Sequence, residues 1–124
     1  MSPIYDKRRV CVFALIAILL LSSAALPQTR IRFARGRTTA VLRGSVTAGN
    51  TNPYILGARG GQTMSVHLVS RGNSARFELY AYRGQVLAED TTDWEGELPV
   101  SNDYVINITT ATRRADYTLE VTIR

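Results

Sequence analysis
One histidine, one cysteine and a cluster of carboxylates are the residues with reactive chemistry to offer in this chain of 124. His67 lies beside Ser65 in a stretch where Met64, Val66 and Leu68 alternate with polar residues, so its ring falls on the wet face of a strand. A hydrolase needs a nucleophile, a base, an orienting acid and oxyanion donors, and no Gly-x-Ser-x-Gly elbow is present. A single histidine leaves no second imidazole for a metal site. We therefore expect an exposed strand histidine, no enzyme activity and no cofactor. Glu89, Asp90, Asp93, Glu95 and Glu97 gather five acids in nine residues. Calcium takes six to eight oxygens in a regular loop order, and Glu-Asp-Thr-Thr-Asp lacks that order, so a solvated acidic loop without metal is the expectation.

The remaining candidates are recognition groups. Arg113 and Arg114 form a cationic pair before the last strand, and guanidinium forks suit carboxylates. Their plain alternative is a turn that keeps a sheet edge soluble. Tyr80 and Tyr82, with Arg76 and Glu78, face outward on one strand and form an alternative surface for stacking on sugar or anchoring a protein. Cross-strand packing competes for the same pair. In the turn Ser101-Asn102-Asp103-Tyr104, Tyr104 is either a projecting loop residue or a buried tyrosine corner. Its register with Ile106 and Ile108 favours burial, and Leu98-Pro99 before it has the corner spacing.

These groups must be carried by something rigid, and the chain divides accordingly. Lys7-Arg8-Arg9, the apolar run Val10 to Leu21, and Ser22 to Ala25 have the order of a secretory signal peptide over residues 1–25. The alternative is an uncleaved anchor, but the apolar run falls short of the roughly 18 residues of a spanning helix. Cys11 lies within this segment and away from a small-residue junction, which argues against a lipidated amino terminus. The processed chain then has no thiol and relies on apolar burial. Without Lys7, Arg8, Arg9 and Asp6, the totals of 15 basic and 10 acidic residues become 12 arginines against 9 acids. A net charge of +3 is too small to argue nucleic acid, and export argues further against it.

Residues 26–37 read as a basic lead-in, with Phe33 able to tuck against the domain. From residue 38 to 124, short alternating runs recur every 8 to 12 residues between Gly, Asn and Pro turns. The inner sets are Met64-Val66-Leu68, Phe77-Leu79-Ala81, Tyr104-Ile106-Ile108 and Tyr117-Leu119-Val121-Ile123. About eight such strands predict an all-β, antiparallel two-sheet β-sandwich with layers about 10 Å apart.

Several framework runs carry a resemblance: Phe33-Ala34-Arg35-Gly36, Arg43-Gly44, Tyr54 to Gln62 (YILGARGGQ), Trp94 to Pro99 (WEGELP), Ser101 to Tyr104 and Tyr117 to Val121 (YTLEV). The chain resembles the bacterial inhibitors of goose-type (g-type) lysozyme, and more widely the pre-peptidase C-terminal-like β-sandwich modules. The resemblance implies a periplasmic or secreted binding protein that occludes the cleft of a muramidase with exposed loops. By position it implies Arg113, Arg114, Tyr54, Ser101 and Asn102 as partner-binding residues. Asn102 stands where the inhibitor pattern has glycine, and the loop Ala111 to Asp116 is shorter than the family's arginine-rich loop. The wider resemblance implies instead an envelope module that binds cell-wall glycan or a protein partner, for which Tyr80, Tyr82 and the acidic loop are the candidate recognition surface.

Overall fold
The computed structural model describes residues 28–124; the segment expected as a signal peptide and Cys11 lie outside them. Nine strands form two packed sheets: β1 (Thr29–Arg30), β2 (Thr39–Thr47), β3 (Asn52–Ala58), β4 (Thr63–Ser70), β5 (Ala75–Ala81), β6 (Val86–Thr91), β7 (Asp93–Glu97), β8 (Asn102–Thr110) and β9 (Arg114–Ile123). One sheet has the order β1-β3-β8-β5-β6 and the other β2-β9-β4-β7. Every pairing is antiparallel except that of β1 with β3. The expected sandwich is present.

The period-two pattern explains the packing. Met64, Val66 and Leu68 from β4, Phe77, Leu79 and Ala81 from β5, Tyr104, Ile106 and Ile108 from β8, and Tyr117, Leu119 and Val121 from β9 are all buried. These residues come from neighbouring strands of both sheets, so their alternation closes one layer on the other. Ile123, at the strand end, is only partly buried against this core. Trp94 packs at its margin, and its ring occupies the space a side chain at Gly96 would need, since a Cβ there would stand 2.7 Å from Cζ2.

Two expected features differ in detail. Within the expected lead-in, Thr29 and Arg30 pair with Tyr54 and Ile55, Ile31 is buried, and Phe33 packs against the core. The expected acidic loop is strand instead. Glu89 and Asp90 belong to β6, the chain crosses to the other sheet at Thr92, and Asp93, Glu95 and Glu97 point outward from β7. The crossing divides the five acids between two sheets, and among the described residues no three His, Cys, Asp or Glu side chains gather to hold a metal.

The corner predicted at Tyr104 is built as the spacing required. The ring is 0 % exposed, its hydroxyl donates to the Val100 carbonyl, and the Val100 amide donates to the Tyr104 hydroxyl oxygen at 3.4 Å. Leu98 is buried below it and exchanges backbone bonds with the Gly61 and Gln62 turn. Burial wins at Tyr104, so that ring is unavailable to a partner.

Candidate functional site
The residues proposed from sequence are distributed over opposite ends of the sandwich. Asn102 opens β8, whereas Arg113 follows its far end. Nine residues of strand separate those ends by about 30 Å. Ser101 and Asn102 therefore cannot share one contact loop with Arg113 and Arg114.

At the Ser101 end the polar side chains hold loops together. The Gly60 amide donates to Ser101 Oγ at 3.0 Å. Asn102 Nδ2 donates to the Tyr82 carbonyl at 3.0 Å, while its Oδ1 accepts from the Asp103 amide at 2.8 Å. Gly60 is confined there, since a Cβ would lie 3.2 Å from the Val100 backbone. Among the described non-glycine residues, Asn73, Arg83 and Asp90 have positive φ and Asn102 does not, so Asn102 meets no backbone demand for glycine. Next to this end lies an open cleft of about 470 Å³ lined by Phe33, Arg37, Arg59, Gln62, Asn102 and Ile123, among others.

The opposite end is cationic. Only Ala111, Thr112 and Arg113 stand outside strands, because Arg114 to Asp116 already belong to β9. The expected loop of residues 111–116 is thus a three-residue turn. It is tied down by Thr110 Oγ1, which donates to the Ser74 carbonyl at 2.7 Å, and by the Ala48 amide, which donates to the Arg113 carbonyl at 3.1 Å. The two arginines have different surroundings, since Arg113 ends the turn and Arg114 opens β9. Arg114 lies on the outer face of its sheet, its Nε 3.2 Å from Asp116 Oδ1 and its Nη2 3.1 Å from Ser45 Oγ. The hydrogen bond from Ser45, and then Arg114, holds the Asp116 carboxyl below its ordinary pKa. Arg113 is exposed and has no ion-pair partner among the described residues.

Topology adds a residue that periodicity did not single out. The β4–β5 turn packs against the same end through Ser74 and Thr110, and it carries Arg71, which is exposed and likewise without an ion-pair partner among the described residues. Strand parity in the sequence held that signal: β4 and β8 both run toward this end, so their turns must meet there.

Tyr54 is not presented to a partner. It is 7 % exposed and shares a 2.6 Å hydrogen bond with the Tyr117 hydroxyl, the rings meeting edge to face at 6.4 Å between centroids. Asn52 Nδ2 donates to Tyr117 Oη at 2.8 Å and to the Ser45 carbonyl at 2.7 Å, joining β2, β3 and β9 beneath the cationic end. Burial, and then the bond with Tyr117, pushes the Tyr54 phenol well above its ordinary pKa. Its alternation places it in the core, and the resemblance concealed that.

The alternative surface is mixed. Tyr80 is half-buried against Val105, whose side chain is 2 % exposed although it lies on the outward face of the sheet. Tyr82 is 43 % exposed, with the Arg83 guanidinium 5.4 Å from its ring centroid. His67 is exposed and bonded through Nδ1 to Asp93, which lowers the Asp93 pKa.

No protein-family model matches the chain, and no curated protein sequence matches it. Solved structures do. The periplasmic inhibitor of g-type lysozyme PliG from Aeromonas hydrophila superposes with a TM-score of 0.72 at 28% identity, covering 78% of this chain and 96% of that one. The chain has the fold of the PliG lysozyme inhibitors. PliG from Salmonella Typhimurium gives a TM-score of 0.62 at 18% identity over 81% of this chain and all of that one. The pre-peptidase C-terminal domain of a Bacillus anthracis collagenase gives 0.55 at 14% identity over 81% and 99%. Both likenesses in fold expected from the framework runs are present, and the inhibitors are the nearer of these three.

Proposed function
We propose that this chain is an exported, non-enzymatic inhibitor of g-type lysozyme that occludes the enzyme cleft with its cationic end. The observation that carries this is the exposed Arg113, without an ion-pair partner among the described residues and held on a pinned turn that meets the turn carrying Arg71, in a chain that superposes on nearly the whole of Aeromonas PliG. A glycosidase cleft holds two carboxyl groups, and guanidinium groups presented from a rigid edge are complementary to them. Arg114 contributes field more than contact, since Asp116 and Ser45 hold it on the sheet face. Ser101, Asn102 and Tyr54 act as framework.

The experiment is a turbidimetric assay of peptidoglycan lysis by a g-type lysozyme with increasing amounts of residues 28–124. Inhibition at micromolar excess is expected, with Arg113→Ala losing about tenfold, the equivalent of 1.4 kcal/mol. Ser101→Ala should inhibit as the parent does. Absence of inhibition by the parent rejects the proposal.

A second proposal rests on Tyr82, whose exposed ring is stacked by Arg83 on a separate face. On that view the chain is an envelope module that binds cell-wall glycan or a protein partner through Tyr80 and Tyr82. Sedimentation with insoluble peptidoglycan separates the two: loss on Tyr82→Ala favours the sheet surface, and loss on Arg113→Ala/Arg114→Ala favours the cationic end.

A further inference from the structure
Four strands form the margins of the two sheets, and three of them are blunted. β1 has two residues. β6 is broken by register shifts and by Asp90 at φ 45°. β7 is five residues long and turns Asp93, Glu95 and Glu97 outward. Short strands, bulges and rows of charge are the usual means of keeping a margin from pairing with another chain. β2 has none of these. It pairs with β9 over nine residues without a register shift, contains no proline, and carries Arg43 as its one charged side chain.

The hydrogen bonds show which backbone groups of β2 are left over. The Thr38 carbonyl accepts from the Ile123 amide, and the Ala48 amide donates to the Arg113 carbonyl. In an antiparallel ladder such pairs alternate, so the even-numbered residues of β2 face β9 and the odd-numbered ones face away. Two of the outward carbonyls are satisfied internally: Ser45 accepts from Asn52 Nδ2, and Thr47 accepts from the Asn50 amide. Thr39, Val41 and Arg43 remain, with no backbone partner among the described residues. Val41 stands among them at 57 % exposure.

We propose that β2 is a self-association edge, on which a second copy of this chain pairs antiparallel about a two-fold axis through Val41. In that register Val41 faces its own counterpart, and Thr39 faces Arg43 in both directions. On the inner face Ala40 faces Leu42, both of which are only partly buried in one copy. About six backbone hydrogen bonds form, since each of the three facing pairs exchanges two. The two four-stranded sheets become one. Moving the axis to Arg43 would set Arg43 against itself, and like charges directly opposite are unfavourable. The occupant is a second copy because the free segment is self-complementary in hydrogen bonding and apolar contact, and its register keeps the two Arg43 side chains from facing each other. Both loop ends stay open, so the inference is independent of the function proposed above. An edge contact of this length is small, which makes the dimer weak and concentration-dependent.

The test uses residues 28–124, which hold every described strand and the whole described core. Sedimentation velocity from about 1 μM to 1 mM should show a monomer–dimer equilibrium. Val41→Pro removes only an outward amide, and Val41→Lys sets like charges opposite; each should weaken dimerisation at least tenfold while circular dichroism is unchanged. Val41→Cys should oxidise to a covalent dimer, because facing hydrogen-bonded residues have Cα atoms about 5.5 Å apart, within disulfide reach. Val69→Cys, of similar exposure on the same sheet but inside it, should cross-link at least tenfold more slowly. A monomer at every concentration overturns the inference. So does a dimer that survives both Val41 substitutions, or a Thr39→Cys protein that cross-links faster than Val41→Cys.

Discussion

Replacing Gly44 by alanine probes how the sheets are joined beneath the cationic end. A Cβ there would stand 2.6 Å from Tyr117 Oη, 2.8 Å from Tyr117 Cζ and 3.1 Å from Tyr54 Oη. Tyr117 is not free to swing aside, because Tyr54 holds its hydroxyl at 2.6 Å and Asn52 Nδ2 at 2.8 Å. Accommodating the methyl group costs about 1–3 kcal/mol of overpacking. Loosening the two hydrogen bonds adds about 1 kcal/mol each. Removing glycine from a strand interior returns about 0.5–1 kcal/mol. The net loss is about 2–4.5 kcal/mol, which lowers Tm by about 8–35 °C in a domain of this size. Thermal and urea unfolding followed by circular dichroism measure it. In a Tyr117→Phe background the nearest clashing atom is gone, and Gly44→Ala should cost about 1 kcal/mol less. A Gly44→Ala protein as stable as its parent, or an equal penalty in both backgrounds, would refute the reasoning.

The corner makes a smaller claim: Tyr104→Phe leaves the ring in place, removes the bond to Val100, and should cost about 1–2 kcal/mol in urea unfolding with an unchanged m value. Alkaline titration tests Tyr54. Its folded pKa is raised, so the stabilisation is complete below the ordinary phenol value of about 10 and is lost as pH climbs beyond it. Tyr54→Phe should flatten that decline, and an equally steep decline would count against the buried tyrosine pair. Arg71→Ala should weaken inhibition of a g-type lysozyme about three- to tenfold without changing Tm, since one exposed cation at such a rim is worth about 1 kcal/mol; unchanged inhibition would remove Arg71 from the surface.

Much of the scaffold was legible because burial in a sandwich repeats every two residues. Tyr104, Ile106 and Ile108 announce their face within five positions, and the corner tyrosine follows from Leu98 and Pro99 nearby. The acids of residues 89–97 misled because composition there outweighed pattern: Asp93, Glu95 and Glu97 alternate with Trp94 and Gly96 and form a strand. Tyr54 and Arg71 failed in opposite directions. The tyrosine drew attention through a resemblance while its own alternation placed it inside, and the arginine sat in an ordinary turn until its neighbours were known.

Local order in this chain, meaning which side chains turn inward and where the turns fall, is a property of adjacent residues and was determined by the sequence alone. Which turns at one end touch each other was decided only by the pairing of strands far apart in the chain, with β9 set between β2 and β4 and β8 between β3 and β5. That pairing brought the turn carrying Arg71 to the turn of Arg113, and left one long margin of backbone without a neighbour among the described residues. Hydrogen-bonded ladders are non-local, so no window of sequence contains them.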